Sequence, residues 1–142
     1  MNPNQLERYS FWWSEVRLVI AAAALLLGGV PPVFYLLPGM YGITAPLLKI
    51  CWIISGVVSA YLGYRWYQND MRVFGGKDTW DIVAFAILVV TGINLGLTGL
   101  LGNNIGMSIL GGRTVFFIVG LIYIAVAVYI YRRWKASGER MF

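Results

Sequence analysis

Residues 80–101 read WDIVAFAILVVTGINLGLTGLL, and after Asp81 no charged side chain follows until Arg113. Roughly 20 apolar or small residues in a helix rise about 30 Å, the thickness of a bilayer's hydrocarbon core. The stretch therefore predicts a transmembrane helix. Asp78 or Thr79 stands where its N-cap belongs, and Gly102-Asn103-Asn104 supplies a left-handed stop.

Three more segments read the same way, at about 16–37, 47–67 and 113–131. Hydrophobic residues make up 59% of the 142-residue chain and charged ones 12%, about half the usual charged share of a soluble domain. The expected fold is an all-α membrane protein, a single four-helix transmembrane bundle over 1–142. Residues 1–15 predict a short amphipathic helix at the interface. Asn2 is its expected N-cap, Pro3 its first helical residue and Gln5 the closure of a capping box. Leu6, Tyr9, Trp13 and Val16 form its apolar face, with Glu7, Arg8, Ser14 and Glu15 on the surface. Gly28-Gly29 and Pro31-Pro32 interrupt the first span near its end, Pro38–Pro46 reads as a loop, and 132–142 is a basic tail.

Orientation follows from Lys and Arg beside the spans. Arg8, Arg17, Arg65, Arg72, Lys77, Arg132, Arg133, Lys135 and Arg140 fall on one face, while Lys49 and Arg113 fall on the other. Nine against two places both termini in the cytoplasm, and a prokaryotic plasma (inner) membrane is the expected location. The net charge of +5 is accounted for by these flanking cations, which meet lipid phosphate, so no nucleic-acid partner is expected.

The chain also matches itself. An offset of 67, changing to 68 after the outer loops, pairs Trp13 with Trp80, Gly29 with Gly96, Tyr61 with Tyr129 and Arg65-Trp66 with Arg133-Trp134. Twelve identities fall in 54 aligned positions, where about five are expected for helices of this composition. Duplication of a helical hairpin is one reading, with the copies related by an axis along the membrane normal. Coincidence among apolar helices sharing interfacial Trp and Arg is the other.

Much chemistry is excluded. There is no histidine and one cysteine, Cys51, so the common haem, zinc and iron–sulfur sites and His-based triads lack their ligands. No cofactor, metal or catalytic residue is expected, and the chain is read as non-enzymatic. Glu7, Glu15, Asp70, Asp78, Asp81 and Glu139 are all expected at or beyond the interface, which disfavours proton coupling through a buried carboxylate.

Inside the spans, Thr91, Asn94 and Thr98 share an arc of about 60° on one helix face. They read either as interhelical hydrogen-bonding groups or as the lining of a pathway, with Lys49 a further candidate. Ser55, Ser59, Gly63, Gly92 and Gly96 recur at four-residue spacing and predict close helix packing. The leading expectation is a structural or accessory subunit of a membrane complex, partnered by lipid and by its own copies or other membrane subunits. The alternative is a small oligomeric channel or transporter lined by the third span's polar face.

Overall fold

The computed structural model describes residues 3–109 and 111–142. Asn2, the expected N-cap, lies outside them. The described residues form helices α1 (Pro3–Leu26), α2 (Val33–Leu36), α3 (Tyr41–Gln68), α4 (Thr79–Leu101), α5 (Ile105–Ile109) and α6 (Arg113–Ala136). The four long ones are long and apolar enough to cross a membrane. A lone antiparallel bridge, Val73 with Gly76, closes the loop between α3 and α4.

Helix ends follow local chemistry. Asp78 caps α4, its carboxylate accepting from the Trp80 and Asp81 amides, and Gly102 ends the helix at φ 74°. Such a φ suits a residue without Cβ. The first helix stops in a Schellman turn: the Gly29 amide donates to Ala24 and the Gly28 amide to Leu25, with Gly28 at φ 81°.

Three boundaries differ from the sequence reading, the smallest at α6, which continues to Ala136, five residues into the stretch expected as a basic tail. The loop expected over Pro38–Pro46 is shorter, because α3 begins at Tyr41 and carries Pro46 inside its second turn. Proline there deprives only the carbonyl four residues back, that of Gly42, at an exposed helix end. The third correction is larger. Residues 1–15 are not a separate interfacial helix, since one continuous helix runs from Pro3 to Leu26 and the first span ends eleven residues before Leu37. Its faces are also inverted, apart from Arg8. Leu6 and Tyr9 are exposed, Tyr9 over 60% of its surface, Trp13 and Val16 are partly exposed beside α3, and Glu7, Ser10, Ser14, Glu15 and Arg17 are buried, with Arg8 on the surface as expected. Lipid would solvate the apolar face, so the polar face turns to the bundle interior. An amphipathic pattern gives the faces of a helix and not which solvent each one meets.

The bundle is tightest where α3 meets α4 and where α1 meets α6. On the first seam Gly56 lies against Gly96 and Ser59 against Gly92, so a Cβ built on Gly96 would stand 2.6 Å from the Gly56 Cα. Gly99 meets Ile53 and Gly63 lies on Val89. The packing row on α3 therefore includes Gly56, while Ser55 turns to α1 and accepts from the Trp13 indole at 3.0 Å. On the second seam Phe11 stacks on Trp134 with centroids 4.5 Å apart, and Gly120 lies over Ala22 and Leu26.

The end of the bundle rich in Lys and Arg is stitched by ion pairs. Asp81 has no exposed surface and binds Arg133 bidentately at 2.7 and 2.5 Å, with the Tyr129 hydroxyl donating at 2.8 Å. Glu7 takes Arg65 at 3.3 Å and also accepts the Met141 and Phe142 amides. Met141 and Val73 are buried beneath the helices, so the C-terminal segment and the α3–α4 loop together close this end.

Candidate functional site

Below the opposite end lies a cavity of about 500 Å³. It exists because α1 stops early. With the offset of 67, Leu26 corresponds to Ile93, yet α4 continues to Leu101. The eight missing residues, about 12 Å of helix, are replaced by unwound chain, of which Gly29, Pro31 and Pro32 form one wall. Aliphatic and aromatic side chains supply most of the rest. The Trp13–Ser55 hydrogen bond closes the gap between α1 and α3 on the side of the basic end. Farther along, Val16, Ile20 and Cys51 are both on the wall and exposed, so the cavity opens sideways between these helices.

The stripe Thr91, Asn94 and Thr98 does line this cavity. Its members are already bonded. The Thr98 hydroxyl donates to the Asn94 carbonyl at 2.8 Å, and the Thr91 hydroxyl to that of Ile87 at 2.7 Å. The Asn94 side chain donates to Asn104 at 2.9 Å and accepts the Gly106 amide at 3.1 Å. Asn94 thus ties α4 to the segment around α5, with its amide engaged at both ends. Lys49 is exposed on α3 and stands apart from the cavity. Ser55 is on the wall; Gly92 and Gly96 are buried in the α3–α4 seam, Gly92 against Ser59 and Gly96 against Gly56, while Gly63 lies on Val89.

The group that defines the site is Arg17, which the sequence reading counts among the flanking cations. With α1 beginning at Pro3, Arg17 sits about 21 Å along it, opposite the middle of α4. Only 7% of its surface is exposed. Its guanidinium donates to the Thr91 hydroxyl at 3.1 Å and the Leu88 carbonyl at 2.7 Å, and lies over Gly92, where a Cβ would come within 3.2 Å of Cζ. A guanidinium has five N–H donors, and the buried Nε has no partner. Among the described residues no carboxylate lies within 4.0 Å of it. Tyr123 of α6 completes that end of the wall.

Arg17 is the last member of a buried polar row on α1: Glu7, Ser10, Ser14, Arg17. The 3-4-3 spacing is the signal that could have revealed it, had the polar side been taken as the inner one. Ser14 and, across from Gly92, Ser59 have buried hydroxyls without partners. Glu15 falls on the neighbouring row with Phe11, Leu18 and Ala22, is 6% exposed, and has one carboxylate oxygen unpartnered. It lies twelve residues into a helix with the length and hydropathy of a span. The expectation that Glu15 lies at the interface rested on a span starting at Val16, whereas Glu15 is buried within a helix long and apolar enough to be a span. Among the described residues no three His, Cys, Asp or Glu side chains gather as a metal site.

Set against protein-family models, curated proteins and solved structures, the chain matches none of them.

Proposed function

We propose that this is a small membrane carrier whose bundle holds an amphipathic anion, its charged oxygens on Arg17 and its apolar body in the cavity. The observation that carries this reading is the buried guanidinium at the inner end of an apolar chamber, with no carboxylate of the described residues within 4.0 Å of it. Arginine at the centre of a span costs about 2.5–3.5 kcal/mol on insertion scales, and a buried charge is held when something pairs it. A carboxylate or phosphate oxygen suits the guanidinium's remaining donors. The apolar walls and the sideways opening suit a hydrocarbon chain entering from lipid. The volume lies in the range of ordinary ligand pockets.

The protein is read in a prokaryotic inner membrane with the basic end in the cytoplasm. Removing the buried Arg17 from the tally leaves eight flanking cations against two, so the charge rule gives the same orientation. Tandem duplication belongs to the same reading. A two-fold exchanging α1 with α4 and α3 with α6 would map the α3–α4 seam onto α6–α1. In each hairpin an arginine near the end of the second helix, Arg65 or Arg133, reaches a carboxylate on the first, Glu7 or Asp81.

Trp13 and Trp52 stand on the wall, so a brominated ligand should quench their fluorescence. In reconstituted vesicles, 12-bromododecanoate is expected to quench native protein saturably, and dodecanoate to compete where dodecanol and dodecylamine do not. Arg17→Gln should weaken binding about 10- to 100-fold, as loss of a charge-assisted hydrogen bond does. No saturable quenching, together with copurifying chains of other sequence, would instead favour an accessory subunit.

A further inference from the structure

At the end of the cavity away from Arg17, three segments meet on one point. A Cβ built on Gly29 would stand 2.3 Å from the Met107 Cε and 3.2 Å from a Phe116 ring carbon. The thioether of α5 and the ring of α6 thus fill the place of the side chain that residue 29 lacks. Gly29 has φ 90°, which itself favours a residue without Cβ. All three residues line the cavity. Met107 is held by its backbone as well: its amide donates to the Asn104 side chain and the neighbouring Gly106 amide to that of Asn94, both at 3.1 Å. Asn94 belongs to α4, about one turn beyond Thr91, which accepts from the Arg17 guanidinium at 3.1 Å. One helix therefore holds both the charged end of the chamber and its far wall, and fixes the distance between them.

Resting on the cavity reading, we infer that the ligand is a medium-chain alkyl anion and that Met107 is the stop its chain ends against. Nine residues separate Arg17 from Leu26, the last of α1, which is about 14 Å of helix, and Gly29 follows in the turn at that end. Each carbon of an extended chain advances about 1.3 Å, the projection of a C–C bond of about 1.5 Å. About ten to twelve carbons therefore reach from the guanidinium to Met107. A shorter chain leaves part of the wall without contacts, and such a gap forfeits dispersion attraction. A longer one meets a thioether already lodged against the Gly29 backbone, with Phe116 on its other side. The sideways opening lies beside the head instead, since Val16 and Ile20 are within a turn of Arg17 on α1. A tail directed out of that opening would leave the chamber unfilled.

The test follows displacement of 12-bromododecanoate from Trp13 and Trp52 by saturated carboxylates from octanoate to octadecanoate. Each is compared at the same mole fraction in the lipid, so that partitioning into the bilayer cancels. Native protein is expected to bind decanoate or dodecanoate most tightly and hexadecanoate about tenfold more weakly, the size of an overpacking penalty. Met107→Ala clears about 4 Å of side chain, so the preference should move to tetradecanoate or hexadecanoate. Met107→Leu, of similar bulk, should keep the native order, as should Ile109→Ala on the exposed side of α5. Equal affinity from dodecanoate to hexadecanoate in native protein, or the native order in Met107→Ala, overturns the stop while leaving the cavity reading intact. No displacement at any length overturns both. A readout on native protein keeps the inference falsifiable if the variant does not assemble. Dodecanoate carrying a diazirine at its terminal carbon should, on illumination, label the segment 29–33, Met107 or Phe116, and labelling elsewhere alone would refute it.

Discussion

Replacing Gly96 by alanine adds a single carbon at the closest approach of two helices. That carbon would stand 2.6 Å from the Gly56 Cα, 3.2 Å from its N and 3.7 Å from its carbonyl carbon, and the obstacle is backbone, which cannot rotate away. Carbon atoms pack at about 3.5 Å, so α3 and α4 must part by about 0.9 Å. The whole seam feels the separation, because Ser59–Gly92 and Ile53–Gly99 are held by the same two helix axes. Overpacking of this kind costs about 1–3 kcal/mol. Alanine's greater helix propensity offsets little of it, as apolar spans remain helical in the membrane-unfolded reference state. Gly42→Ala is the control: Gly42 is also in α3, but nothing lies within 4 Å of a Cβ built there. Unfolding by SDS in bicelles, followed by Trp fluorescence, should show Gly96→Ala less stable by that amount and Gly42→Ala unchanged. Gly120→Ala should fall between, since its Cβ meets the flexible Leu26 side chain at 3.1 Å and the Ala22 carbonyl at 3.2 Å. Equal stability of Gly96→Ala and Gly42→Ala would refute the close seam.

Asn94→Ala should lower stability by about 1 kcal/mol and leave 12-bromododecanoate affinity within about twofold, because the amide is spent on Asn104 and Gly106; a loss of affinity comparable to that of Arg17→Gln would show that Asn94 holds ligand. With Cys51 replaced, a cysteine at Tyr41 should be labelled in intact cells by an impermeant maleimide and one at Lys77 only after permeabilisation, and the reverse pattern would invert the orientation. The Glu139 carboxyl is held below its usual range, chiefly by the hydrogen bond from Lys135, with Arg8 adding to it. Whatever Glu139 contributes to holding the C-terminal segment is therefore present above the ordinary carboxylate pKa and lost as pH falls through its lowered value; in a ¹³C titration Lys135→Met should move Glu139 upward, and no movement would remove Lys135 as the cause.

The long helices are legible because apolar length is a direct physical requirement of a span, and because Asp78 and Gly102 mark ends by their own backbone chemistry. Arg17 is misread for an equally physical reason. A charge beside an apolar run ordinarily marks its edge, and only the start of α1 at Pro3 places Arg17 halfway along a helix. The same displacement hides Glu15 and inverts the faces of the first fifteen residues. The α3–α4 seam is legible in Gly92 and Gly96 but not in Gly56, because the four-residue spacing selects Ser55 and Ser59 while the helices cross along 56 and 59. No pattern along the chain could show the cavity. It depends on α1 stopping eight residues before its counterpart, which turns Gly28-Gly29 and Pro31-Pro32 from a kink into a wall.

The central claim is that Arg17 pairs with an anion inside the cavity, and diffraction from the native protein with 12-bromododecanoate at the bromine edge tests it most directly. The account predicts a carboxylate within about 3 Å of the Arg17 guanidinium and a bromine peak between α1 and α3 or among Pro32, Met107 and Phe116. Bromine confined to the outer surface of the bundle, with Arg17 bonded only to Thr91 and Leu88, would contradict it.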